Sequence, residues 1–144
     1  MNVLLILLSF FWTSDNIRVI EYNGSSVKTT YQVDNKFIGE YTGRKKGYLK
    51  LNADGTGAYN YDVYGFTSEN CDKDAIPLEW GFLVDENGKL VSFTREYGRS
   101  YPILLQCVGK PKFQGCRTQV LLDFIMEYKD GKLGVSSSDD WIKN

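Results

Sequence analysis

Apolar and polar positions alternate along most of the chain, in short runs separated by glycine- and acid-rich turns. Leu49 and Leu51 alternate with Tyr48, Lys50 and Asn52, and Tyr59, Tyr61 and Val63 with Asn60 and Asp62. Leu78, Trp80, Phe82 and Val84 alternate with Glu79, Gly81 and Asp85, Leu83 being the exception. Ile103, Leu105 and Cys107 form a further set, and Leu133 and Val135 end the pattern. Side chains on a strand point to opposite faces with period two, so each run predicts a strand with one apolar face. The longest set is Val120, Leu122, Phe124, Met126 and Tyr128 against Gln119, Asp123 and Glu127, with Leu121 and Ile125 out of step. At helical spacing its apolar residues spread around the axis, so a strand is the better reading of residues 117–128.

The turns between these runs carry hairpin chemistry. Ala53-Asp54-Gly55-Thr56-Gly57, Asp85-Glu86-Asn87-Gly88 and Asp130-Gly131 each separate two alternating segments. Asp-Gly and Asn-Gly favour the positive φ that tight hairpin turns require. Earlier segments (IRVIEY, VKTTYQV, KFIGEYTG) add two or three strands, and no internal repeat or linker divides the chain. The expectation is an all-β fold, a single antiparallel up-and-down β-barrel of about eight to ten strands, with a two-layer β-sandwich as the alternative.

Composition narrows the function classes. With 17 basic and 18 acidic side chains there is no charge excess to neutralise phosphates, so a nucleic-acid partner is not expected. The chain contains no histidine, which removes Ser-His-Asp and Cys-His catalysis and His-ligated zinc. Residues 3–12 (VLLILLSFFW) are apolar except for Ser9, and the first charge is Asp15. That run is too short to span a bilayer as a helix and has the length of a signal-peptide core. It predicts a signal peptide over residues 1–14, a single domain over 15–144, and a periplasmic or secreted protein.

The remaining residues offer little catalytic chemistry. The carboxylate pairs Asp85/Glu86 and Asp139/Asp140 are adjacent, so strand geometry sends their members to opposite faces, and alternation puts no acid inside. Ser25-Ser26-Val27-Lys28 matches a Ser-x-x-Lys pattern without its companion motifs and reads as a turn entering a strand. NADGTG and DENGK lack the ligand spacing of a calcium loop. No catalytic residue, metal site or cofactor is expected. Arg44-Lys45-Lys46 reads as a solvated turn. Cys71 sits among Glu69, Asp72 and Asp74, which oppose thiolate formation. Cys107 and Cys116 flank a Gly/Pro/Lys loop at the mouth of an expected hairpin, a geometry that predicts a disulfide between them.

The aromatic residues are the most informative. Tyr59, Tyr61, Trp80, Phe82, Phe93 and Phe124 fall on positions that face the barrel or sheet. They predict either a core or the lining of an interior site, and Tyr59, Tyr61, Trp80, Phe82 and Phe124 are the candidate ligand-binding set. The alternative is a solid barrel that acts through the loops at residues 67–77 and 108–115, as an inhibitor, immunity-type factor or envelope component.

Gly39-Glu40-Tyr41, the hairpin from Leu49 to Gly57, Leu78-Glu79-Trp80, the run from Lys132 to Ser136 and Trp141 together resemble the lipocalin-like, calycin-type barrels, in particular their small exported bacterial members. The resemblance covers about residues 36–138, with Tyr41 where lipocalins have the Trp of Gly-x-Trp. It implies an eight-stranded barrel that binds a small hydrophobic ligand or no ligand, and it carries over no catalytic residue.

Overall fold

Antiparallel pairing leads the chain strand by strand around a closed ring. The computed structural model describes residues 17–43, 48–60, 76–108, 119–135 and 141–144, without the side chains of 60, 76, 120, 122–124 and 141. The strands are β1 (Arg18–Tyr22), β2 (Ser25–Thr30), β3 (Gly39–Thr42), β4 (Tyr48–Leu51), β5 (Thr56–Asn60), β6 (Ile76–Leu83), β7 (Phe93–Arg95), β8 (Gly98–Cys107), β9 (Gln119–Tyr128), β10 (Leu133–Val135) and β11 (Trp141–Lys143). A 3-10 turn at Asn35–Phe37 precedes β3. The ring runs β3-β4-β5-β6-β8-β9-β10-β11, and β11 returns to β3 through Ile142↔Thr42 and Lys143↔Tyr41. It is an up-and-down barrel of eight antiparallel strands, with β1, β2 and β7 outside it. The expected all-β barrel is what the residues build, and the sandwich is not.

The hairpin turns lie where the Asp-Gly and Asn-Gly pairs place them. Gly55, Gly88 and Gly131 take φ of 84°, 78° and 85°, the left-handed region that favours glycine. Asp54, Asp85 and Asp130 each accept a backbone N–H two residues on, closing the turn with a side chain. These turns share one end of the barrel with the 3-10 segment. Here Phe37 inserts beneath the strands, its ring 5.1 Å from Phe82 and 5.2 Å from Tyr101. The buried Tyr41 hydroxyl donates to the Phe37 carbonyl at 2.7 Å, and Lys36 forms an ion pair with Glu127 on β9. This end of the barrel is plugged.

Two strands sit elsewhere than the alternation suggests. The run after Asp85-Glu86-Asn87-Gly88 stays with the end of β6 through Val84↔Leu90, an Asp85 N–H to Lys89 carbonyl bond and a Val91 N–H to Leu83 carbonyl bond. It then leaves to form β7, which pairs with the start of β8 outside the ring. Phe93, expected to face the barrel, is therefore 47% exposed, with Arg95 over its ring. In β9 the register slips between Tyr101↔Ile125 and Ile103↔Leu122, so Asp123 and Phe124 together face Pro102. Such a bulge reverses the parity of everything beyond it. Ile125 enters the core and Glu127 turns to the inner side, whereas Met126 and Tyr128, expected inside, take the other face. The expectation of no inward acid fails for this reason.

The β1–β2 hairpin lies across the outer wall. Arg18 reaches Glu79 on β6 at 3.5 Å and stacks over Tyr31, while Gln119 on β9 donates to the Glu21 carbonyl. Thr29 packs on Gly81, where a Cβ would stand 2.6 Å from its hydroxyl oxygen. That hydroxyl is fully buried and finds no hydrogen-bond partner among the described residues. Two hydroxyl deletions should therefore differ in sign. Tyr41→Phe orphans a buried carbonyl and should cost about 1–2 kcal/mol, whereas Thr29→Val should be neutral or stabilise by up to ~1 kcal/mol, both read by urea unfolding. Gly81→Ala should lose roughly 1–3 kcal/mol by forcing the hairpin outward.

Candidate functional site

The interior is the first candidate. Alternation on each strand aims Tyr41, Leu49, Leu51, Tyr59, Leu78, Trp80, Phe82, Ile103, Leu105, Leu133 and Val135 at a common core, and all are buried. Tyr59, Trp80 and Phe82, the described members of the expected ligand-binding set, are 2%, 1% and 0% exposed. The wall of a chamber large enough for one water presents surface to that water, so among the described residues no such chamber adjoins these three rings. Trp80 and Phe82 meet edge to face at 5.8 Å, and the indole N–H donates to the Thr56 carbonyl at 2.8 Å. The polar tip of the tryptophan is thus satisfied within the fold rather than left for a guest. Tyr61 and the Phe124 side chain lie outside the described residues.

The second candidate is the end of the barrel opposite Phe37. Thr42, Tyr48, Asn60, Ile76, Cys107, Gln119, Val135 and Trp141 are the strand termini there, which follows from the antiparallel order. The end of the first loop proposed from sequence and the start of the second lie side by side at this mouth, because the Val108 N–H donates to the Pro77 carbonyl at 3.1 Å. Val108 itself is 57% exposed. Of the two loops, residues 67–75 and 109–115 lie outside the described residues, as do Cys71, Cys116 and the basic cluster at 44–46.

Cys107 is the titratable group of the mouth. It follows Leu105 on the inner face of β8 and packs against the core. Burial pushes its thiol up to about 11, because a thiolate there would lose its hydration. Such a thiol is a poor nucleophile at neutral pH. At the plugged end, Glu127 is the inner-side acid that strand parity concealed. Its carboxylate hydrogen-bonds Lys36 and raises the Lys36 pKa. An acid so engaged is a fastener for the 3-10 segment. Its signal in the sequence is weak, since only the bulge at Asp123/Phe124 turns it inward. Among the described residues, no group of three His, Cys, Asp or Glu is placed to hold a metal. No described helix is long and apolar enough to cross a membrane.

The thiol gives a direct measurement. In reduced protein carrying Cys71→Ser and Cys116→Ser, iodoacetamide should label Cys107 at pH 8 about a hundredfold more slowly when folded than in urea. That factor is the ratio of thiolate populations for a pKa near 9 and one near 11. Equal rates would show an open, hydrated mouth. Compared with known proteins, the chain matches no family model, no curated protein and no solved structure.

Proposed function

We propose that this protein is a non-catalytic, exported, lipocalin-like barrel that acts on another protein through the loops at its mouth. The observation that carries the reading is the burial of Tyr59, Trp80 and Phe82 within one close-packed core. A ligand-holding barrel keeps apolar walls accessible; these rings instead are almost fully covered within the core cluster. A rigid core under adjoining loops is the usual arrangement for recognition by loops. The loops at 67–77 and 108–115 suit that role because their bases adjoin at Pro77 and Val108. Their sequences also differ in charge, the first carrying Glu69, Asp72 and Asp74, the second Lys110 and Lys112.

Export rests on the apolar run at residues 3–12 and on the mouth cysteines. Gln106 lies opposite Gln119, so the chain returns to β9 within three residues of Cys116. That register favours a Cys107–Cys116 bridge in an oxidising compartment, where closing so short a loop would contribute roughly 2–3 kcal/mol. Non-reducing peptide mapping of protein from its own cells should recover this pair. A bridge from Cys71 would replace it, and three free thiols would remove this support for export.

Crosslinking followed by native mass spectrometry distinguishes the two roles. The expected result is a protein partner joined to Lys73, Lys110 or Lys112. A small molecule retained in one-to-one ratio, with no crosslinked partner, would overturn the reading in favour of a ligand held by Tyr59, Tyr61, Trp80, Phe82 and Phe124.

A further inference from the structure

The β1–β2 hairpin ends in a two-residue turn at Asn23 and Gly24, with φ of 48° and 80°. Both values are positive, as the primed turn of a tight hairpin requires, and Asn-Gly is the pair that adopts it most easily. Tyr22 and Ser25 face each other across the turn as the last pair of the ladder. Asn23, Gly24 and Ser25 are all exposed, and nothing lies within 4 Å of where a Cβ on Gly24 would stand. The neighbouring hydroxyl of Ser26 is engaged, donating to Glu21 at 2.6 Å. By contrast, the Asn23 carboxamide and the Ser25 hydroxyl make no hydrogen bond to any described residue.

Asn23-Gly24-Ser25 is also the one Asn-x-Ser/Thr triplet in the whole sequence. So short a pattern arises readily by chance and means little when its asparagine is buried or engaged. Here it occupies the exposed tip of the hairpin that lies across the barrel wall, with neither polar side chain engaged by a described residue. The other Asn-Gly turn provides the contrast. Asn87-Gly88 is followed by Lys89, and the Asp85 carboxylate holds the backbone N–H groups of Asn87 and Lys89.

We infer that Asn23 is an acceptor for N-linked glycosylation. The donor is an oligosaccharide carried on a lipid diphosphate, and the inference rests on the proposal that the chain is exported. The Asn23 amide nitrogen forms a bond to C1 of the first sugar, and the bond from that carbon to the diphosphate oxygen breaks. The lipid diphosphate leaves with the electron pair, the amide proton passes to a base of the transferase, and no oxidation state changes. A glycan there projects into solvent from a turn that adds nothing to the barrel core, so the fold accepts it without rearrangement.

Translation of the full chain with microsomes that contain an oligosaccharyltransferase tests this. The expected product is protected from added protease and carries a single increase in mass that an N-glycosidase reverses. Asn23→Gln and Ser25→Ala should each abolish the increase while protection remains, and Asn87→Gln should leave it intact. A protected chain without the increase overturns the acceptor site and leaves export standing. A chain that stays accessible to protease overturns both. An increase that survives Asn23→Gln overturns the assignment to this residue.

Discussion

Closure of the sheet is the constraint on which the rest of the molecule depends. An open edge of this length would leave a row of backbone donors and acceptors unpaired, and an eight-stranded ring removes that row altogether. The seam is short. Beyond Ile142↔Thr42 and Lys143↔Tyr41, it is held by the Asn144 N–H to the Glu40 carbonyl and by the Thr42 hydroxyl to the Asn144 side chain. The interior secures what the seam holds weakly. Tyr41 on one side of the seam is fully buried, and its hydroxyl reaches back to the Phe37 carbonyl. Burying a leucine or phenylalanine contributes about 1.5–3 kcal/mol each, so the shared core, more than any one strand pair, keeps the ring shut.

The same core shapes the functional reading. Aromatic rings from β6, β8 and the 3-10 segment meet at 5–6 Å centroid spacings and fill the plugged end. Among the described residues, the polar groups left outside this core lie at the mouth, the outer hairpin and the turns. Cys107 stands between these regimes, inside by strand parity yet at the strand end that leads into the mouth. Half-burial there raises its pKa, because a thiolate would lose hydration.

Much of this architecture is legible one residue at a time. Alternation at Leu49/Leu51, Leu78/Trp80/Phe82, Ile103/Leu105 and Leu133/Val135 gives the inner face correctly, because strand geometry imposes it locally. The Asp-Gly and Asn-Gly turns are equally local, since glycine and a short acceptor side chain specify the backbone without help from distant residues. The barrel follows from counting such hairpins in sequence order.

Other features come from contacts between distant segments. Whether β7 continues along β6 or pairs with β8 depends on which backbone edge is free, and alternation through Phe93 is the same in either case. The bulge at Asp123/Phe124 lies opposite Pro102, which has no N–H for the ladder, but the proline does not say which partner strand takes the extra residue; the bulge exchanges Met126 for Ile125 inside and turns Glu127 toward Lys36. An aromatic residue on an inner face reads alike whether it lines a chamber or fills a core. Sequence therefore sets which face of a regular, unbulged strand of the ring is apolar and where the chain reverses, because both are local consequences of backbone geometry. Which strands become neighbours, and whether the space between them is solid, depends on volume and edge pairing summed over the whole ring.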